Sequence, residues 1–373
     1  MGTFRHYTAR EDTGPMPAPM LFQPITFRSV TAKNRVVVAP MCQYSATDGL
    51  GSDWHVQHLG ARAAGGAGIV MVEATAVSPI GRITPGCLGG YDPAHKALLT
   101  RLAAVITLCG AVPAIQIAHA GRKASCHVPW EGGKPLMPQH GGWTPVAPSA
   151  IPMTSGAVDP HPLSAQEIGG LSAQFAATAR MAREAGFKII EMHAAHGYLS
   201  HSFLSPISNH RNDSYGGDLK GRSRFLMETL DAIRAEWPAD LPLWVRLSCD
   251  DYMPGGNTIK DYVEVAKALA ARGDVDLIDC SSGGVSNEQK IPSLHPGYQV
   301  PYADAIRREA GIATGAVGMI TEPTHAEEIL ANGRADVVLL ARGLLADPAW
   351  PLRAAKTLGV KPDLLNQYLR AVL

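Results

Sequence analysis

Apolar residues in this chain gather into short, mostly uninterrupted runs, and between the runs they recur every three or four positions. The runs are Val36–Ala39, Ile69–Ala76, Val112–Ile117, Phe187–Met192, Leu243–Leu247, Leu277–Cys280, Thr314–Val317 and Val337–Ala341. Such runs, without alternation, read as strands buried on both faces. The stretches between them predict helices at His55–Ala64, Asp92–Cys109, Ser164–Ala185, Arg222–Glu236, Ile259–Arg272, Tyr302–Glu309, Pro323–Asn332 and Pro348–Leu358. Ser164, with Glu167 three residues on, has the spacing of a capping box. Eight strands alternating with helices, and no internal sequence repeat, predict an α/β fold: a (β/α)8 TIM barrel. Pro24–Val30 with Lys33-Asn34 reads as a short N-terminal hairpin that plugs the barrel floor.

Two segments break the rhythm. After the third strand, the stretch 119–163 has no helical period and carries eight prolines between Gly121 and Leu163. A long insertion there is usually functional. It reads as a cap over the barrel mouth, touching the site through Trp130 or Trp143, or as a solvated decoration. Residues 1–20 are polar, with Pro15, Pro17 and Pro19, and are expected to be a disordered tail. Residues 21–373 then form one domain.

Composition narrows the function. The chain has 373 residues, 33 basic and 33 acidic, and 46% are apolar. Zero net charge argues against nucleic acid or an anionic membrane as the main partner. Apolar runs are too short to span a bilayer, and Met1–Met20 lacks the apolar core of a secretory signal. Cys42, Cys87, Cys109, Cys126, Cys249 and Cys280 include no C-x-x-C pair, so no zinc or iron–sulfur framework is evident. Free thiols and a cytoplasmic location are the expectation.

The chemistry concentrates where the fourth strand ends. His193-Ala194-Ala195-His196-Gly197-Tyr198 sets two imidazoles and a phenol at a strand's C-terminal end, where barrel active sites are built. Two neutral imidazoles can hold one oxygen, and the phenol can deliver a proton. Buried structural histidines are the other reading of the motif alone. F-L-S-P follows at Phe203–Pro206, then N-H-R-x-D-x-Y-G-G at Asn209–Gly217. Together these resemble the Old Yellow Enzyme family of flavin-dependent ene-reductases, and the likeness runs from about Leu21 to the C-terminus.

The resemblance implies bound, non-covalent FMN, reduced by NADPH or NADH and reoxidised by small-molecule activated alkenes. Gln116 and Arg246 stand near the ends of strands three and five. An amide there suits the pyrimidine edge of a flavin, and a guanidinium suits negative charge on the reduced ring. Gly315–Met319 and Leu340–Gly343, after strands seven and eight, are where barrels commonly bind phosphate, and Arg342 adds charge. Relatives hold FMN at the positions of Ala39, Pro40, Met41, Cys42, Ala74, Gln116, Arg246, Gly318 and Arg342; Ala341 departs from their usual glycine. His193 and His196 are then the oxygen-binding pair and Tyr198 the proton donor.

Cys42 and Tyr44 resemble the thermophilic-type, Cys-containing branch, in which the thiol tunes the flavin and the tyrosine binds substrate. Tyr368-x-Arg370 is similar to that branch's ending, whose tail crosses a dimer interface. This implies a homodimer or homotetramer, with residues 361–373 at the interface and Arg370 at the partner's substrate site. Two rivals remain: a single-domain relative of 2,4-dienoyl-CoA reductase, and a metal-dependent barrel hydrolase built on His193, His196 and His201. For the last, no H-E-x-x-H helix is present.

Overall fold

The computed structural model describes residues 18–154 and 156–371, so residues 1–17 of the tail expected at 1–20 lie outside the described residues, while its last residue, Met20, is instead ordered in a short turn. The eight barrel strands are β1 (Val36–Val38), β2 (Ile69–Ala76), β3 (Val112–Ala118), β4 (Ile189–Ala194), β5 (Leu243–Ser248), β6 (Leu277–Ser281), β7 (Ala313–Ala316) and β8 (Val337–Leu340). They pair in parallel and in order, and β8 closes on β1 through Val338 opposite Val36. The helices that follow them are α1 (Asp53–Ala64), α2 (Lys96–Leu108), α3 (Ala165–Ala185), α4 (Leu219–Glu236), α5 (Ile259–Arg272), α6 (Val300–Ala310), α7 (Pro323–Ala331) and α8 (Trp350–Thr357).

Each strand feeds two cores, because successive side chains point to opposite faces. Val36, Val38, Val70, Val72, Ile115, Ile117, Ile190 and Met192 face outward and pack under the helices. Val37, Ile69, Met71, Ala114, Ile189, Trp244, Leu277, Val337 and Leu339 face inward and fill the lower barrel. This double burial is why the strands read as unbroken apolar runs.

The lower barrel is sealed from below by a hairpin, Ile25–Phe27 paired with Val30–Ala32. Phe27 meets Trp244 edge-to-face with ring centroids 5.3 Å apart. The hairpin turn holds Arg28 at φ 49°, an uncommon conformation for a side-chain-bearing residue. Arg28 offsets that strain with three contacts beneath β5 and β6: Asp276 at 2.6 Å, the Ala239 carbonyl at 2.6 Å and the Gly273 carbonyl at 3.0 Å. Just upstream, Met20 opens a short turn whose backbone N–H groups at Met20 and Leu21 donate to the Glu327 carboxylate at 2.9 and 2.8 Å.

Boundaries differ from expectation for local reasons. The helix expected from Arg222 begins at Leu219, because the Asp218 carboxylate accepts from the Gly221 N–H at 2.8 Å and caps it there. Ser164 and Glu167 do form the capping box, at 3.3 and 2.7 Å. A helix at Leu199–Leu204 was not expected; all six of its residues are buried, so it shows no polar face. Among the described residues, the stretch 119–163 contains only short turns and the two-residue strands Val146–Ala147 and His161–Pro162. None of the described helices is long and apolar enough to cross a membrane.

Replacing Phe27 by Ala removes the ring that seals the floor and should cost about 3 kcal/mol, the lower end for a truncated core aromatic. Chemical denaturation followed by tryptophan fluorescence measures this, and the site at the far end of the barrel should keep its ligand affinity. An unshifted midpoint would show that the hairpin is not part of the core.

Candidate active site

Above the apolar floor the inward positions turn polar. Gln116 on β3, Glu191 and His193 on β4, Arg246 and Ser248 on β5, and Asp279 and Ser281 on β6 are all buried. The sheet register sets Gln116 beside Glu191, His193 beside Arg246, and Arg246 beside Asp279. Gln116 Nε2 donates to Glu191 Oε1 at 2.7 Å. Arg246 Nε lies 3.0 Å from Asp279 Oδ2, a charge contact whose N–H is not aligned for a hydrogen bond. Burial pushes both carboxyls up, Glu191 further because the Asp279 charge adds to it while Arg246 opposes.

The turn after β4 presents the two histidines. His193 Nδ1 accepts from the Ala195 N–H at 3.1 Å, so a neutral ring carries its proton on Nε2, free to donate. His196 sits at φ 59° with its backbone held on both sides: its N–H donates to Ser248 Oγ at 2.8 Å, and its carbonyl accepts from Lys123 Nζ at 2.8 Å. Gly284 makes room for this turn, since a Cβ there would lie 2.6 Å from His196 Cα. His196 Nε2 meets Ser281 Oγ at 2.7 Å. Burial first, then the Arg246 charge, holds both imidazoles well below the usual histidine range, so they are neutral.

Tyr198 closes the group. Its ring is 4.8 Å from His193 and 6.5 Å from His196, with Lys123 Nζ 5.3 Å from its centroid. Burial raises its hydroxyl well above the usual tyrosine range, so it keeps its proton. The rival use of His201 as a third metal ligand fails on geometry: its Nε2 is bonded to Asp251 at 2.9 Å, and its Nδ1 accepts from the Gly197 N–H at 2.7 Å.

The loop after β1 carries Pro40, Met41, Cys42 and Tyr44, and buried Glu73 on β2 anchors it. Ser52 N–H donates to His55 Nδ1 at 3.1 Å, which turns the other ring nitrogen to Glu73 Oε1 at 3.2 Å. Glu73 Oε2 then accepts from the Gln43 N–H at 3.1 Å. The Cys42 thiol is raised well above its ordinary value, first by the neighbouring Cys87 thiol and then by burial. Tyr44 meets Trp130 edge-to-face at 5.9 Å, and with Trp143 it lines a cavity of about 220 Å³ between the 119–163 segment and the mouth.

A second cavity of about 420 Å³ opens between β5 and β8, lined by Arg246, His196, Ser281, Gly318, Ala341 and Arg342 among others. A Cβ on Gly318 would lie 2.9 Å from Gln299 Nε2, so glycine keeps this wall thin. The residues present fit a flavin nucleotide. Arg246 Nε is buried without an aligned acceptor, the Gln116 amide has spent one hydrogen only, and Arg342 stands where a phosphate binds in such barrels.

The structure thus brings Gln116, His193, His196, Tyr198 and Arg246 to one end of the barrel. Gly318, Ala341 and Arg342 line the large cavity, Tyr44 lines the smaller one, and Ala74 lies with Tyr198 on a narrow crevice. Ala39 is buried at the top of β1, with its N–H bonded to Leu340. Arg370 alone is elsewhere, exposed on the C-terminal segment. Glu191 as a partner of Gln116, Asp279, Ser281, Lys123 and the Glu73–His55 pair were not anticipated.

A parallel barrel whose mouth combines a polar layer with a cavity of the phosphate-binding kind suits a nucleotide cofactor. Residues 20–360 match the family described as NADH:flavin oxidoreductase / NADH oxidase. NADPH dehydrogenase of Geobacillus thermodenitrificans (strain NG80-2) is 48% identical over 356 residues, covering 94% of this chain and 98% of its own. NADPH dehydrogenase of Listeria innocua serovar 6a (strain ATCC BAA-680 / CLIP 11262) is 46% identical, with 94% and 98% covered. Among solved structures, 2-naphthoyl-CoA reductase superposes with a TM-score of 0.82 at 30% identity, over 92% of this chain but only 52% of that one. Morphinone reductase gives 0.76 at 26% identity, with 93% and 91% covered. The chain belongs to the NADH:flavin oxidoreductase / NADH oxidase family, that is, the Old Yellow Enzyme family. It is a flavin-dependent oxidoreductase, with FMN as cofactor and a nicotinamide nucleotide as electron donor.

Replacing His193 or His196 by Ala should weaken binding of a phenol if the pair serves the ligand oxygen as the resemblance implies, because each change then removes a donor. A lost hydrogen bond to a charged oxygen costs about 1.5–3 kcal/mol. Titration followed by the flavin absorption spectrum measures it, and unchanged affinity in both variants would assign the pair to structure alone.

Proposed function

We propose that the protein is an ene-reductase that draws electrons from NADPH or NADH and reduces the double bond of α,β-unsaturated carbonyl or nitro compounds. The observation that carries this reading is the meeting of two neutral imidazoles and a protonated phenol at the mouth, with ring centroids 4.8 to 6.5 Å apart. Bound FMN supplies the hydride that reaches the β-carbon. His193 donates to the carbonyl or nitro oxygen through its Nε2–H, and His196 through Nδ1–H with its Nε2 accepting from Ser281 Oγ, so the pair holds the charge that develops there. Tyr198 delivers its proton to the α-carbon from the opposite face. Cys42 offers an un-ionised thiol beside the ring, and Tyr44 contacts the substrate from the wall of the smaller cavity. Ala39, Pro40, Met41, Cys42, Ala74, Gln116, Arg246, Gly318, Ala341 and Arg342 form the FMN site in this reading.

Tyr198→Phe tests the assignment. Only the second half-reaction consumes the phenolic proton, so alkene reduction should slow by about 10²-fold, the lower end for general acid catalysis, with flavin reduction unchanged. Stopped-flow measurement of each half-reaction separates them. Equal slowing of both, or of neither, removes Tyr198 as the donor. The likeness to 2-naphthoyl-CoA reductase favours a second reading, a one-domain relative of 2,4-dienoyl-CoA reductase. Rates with a CoA thioester and with the corresponding simple enone distinguish the two.

The C-terminal segment extends the proposal. Tyr368 and Leu369 are 49% and 65% exposed, large side chains that the described residues cover only in part. We place them at a homodimer interface, repeated in a homotetramer if two dimers associate, with Arg370 reaching the partner's mouth. Arginine suits that task because its planar fork stays charged and contacts a ring and an oxygen together. Six free thiols fit a reducing cytoplasm. Removing residues 368–373 should raise substrate KM and lower the mass seen by light scattering while FMN stays bound. A truncated protein with wild-type kinetics and mass would exclude the tail from the site.

A further inference from the structure

Glu191 belongs to the polar layer, but the reaction assigns it no role. It is wholly buried, and its Oε2 has no hydrogen-bond partner. Its Oε1 accepts from Gln116 Nε2 at 2.7 Å. The two residues are direct register partners across β3 and β4, so the contact is built by the sheet rather than by a loop. A carboxylate with an orphan oxygen in this interior is costly, and burial together with the Asp279 charge raises its proton affinity. Glu191 therefore stands as a neutral acid at pH 7, leaving Arg246 and Asp279 as the charged pair of the layer.

The ends of a primary amide have almost the same shape, and only the hydrogen-bonding neighbours decide which way it faces. With its proton on the unpartnered Oε2, Glu191 offers Gln116 only the bare Oε1, so the NH2 end of Gln116 turns toward β4 and leaves one N–H and the carbonyl oxygen to serve a ligand. We propose that Glu191 is a positioning residue for the flavin, locking the Gln116 amide in the orientation that matches the pyrimidine edge of the ring. This rests on the reading that Gln116 meets that edge.

A consequence follows in alkaline solution. The groups facing Glu191 are Gln116 from β3, His193 from its own strand, Arg246 from β5 and Asp279 from β6. Once Glu191 ionises, two carboxylates oppose one guanidinium beside a ring that gains negative charge on reduction. The midpoint potential then falls more steeply with pH than it does near neutrality, because reduction also draws a proton onto Glu191.

The test uses the FMN-loaded protein and the variants Gln116→Leu, Glu191→Leu, Glu191→Gln and the double leucine variant. FMN dissociation is read by fluorescence, and midpoint potential is read across pH. Gln116→Leu and Glu191→Leu should each raise the FMN Kd about tenfold, the equivalent of one net hydrogen bond, and the double variant no further. Glu191→Gln retains an accepting oxygen, so its Kd should stay near wild type while the alkaline steepening disappears. Additive losses, or wild-type affinity in Glu191→Leu, overturn the positioning role. Unchanged affinity in Gln116→Leu overturns the underlying flavin reading instead. If Glu191→Leu does not fold, Glu191→Met takes its place in the same cycle, and wild-type FMN affinity in that variant overturns the proposal.

Discussion

A closed parallel sheet has an inside of fixed capacity, and every second residue of every strand must be housed there. That constraint governs this molecule. Apolar side chains fill the lower barrel and are sealed by Phe27 against Trp244. The polar ones are stacked above, away from bulk water, and each needs a partner from a neighbouring strand. Gln116 with Glu191 and Arg246 with Asp279 are paired by register alone. Chemistry at the mouth therefore rests on a layer whose orientation is set by the backbone ladder, with little freedom to shift. Sites carried by such elements are held more closely than sites on loops.

Two of the loops that carry the rest of the site are tied down by groups outside the proposed chemistry. Glu73 and His55 hold the Cys42 loop. Ser248, Lys123 and the space left by Gly284 hold the His196 turn. The left-handed backbone at Tyr44, at φ 50°, and at His196, at φ 59°, marks where this support works against local preference.

The barrel was legible because parallel strands covered on both faces leave unbroken apolar runs, and these also locate the ends at which sites are built. The histidines and Tyr198 were legible for the same reason, lying at a strand end inside a long motif. Glu191, Asp279 and Ser281 were not, although the signal was present: in Leu277-Ile278-Asp279-Cys280-Ser281 the polar residues fall at every second place, the mark of one face. What a single chain does not display is which strand lies alongside, so neither the Glu191 bond to Gln116 nor the Asp279 contact with Arg246 has a local trace. Leu199–Leu204 was missed because a helix buried all round has no periodicity to read. The early start of α4 depended on a cap, Asp218, that sits among other turn formers.

The seam of the barrel joins the two ends of the chain. Val338 pairs with Val36, and Arg35 donates to the Asp336 carbonyl 301 positions away. A ribosome makes this protein from the N-terminal end, so β1 emerges early and waits for its partner until almost the whole chain has been translated. Throughout that interval one edge of the growing sheet offers unpaired N–H and C=O groups to any neighbouring nascent chain. Until β8 arrives that edge is a template for aggregation, a hazard the closed barrel itself no longer carries.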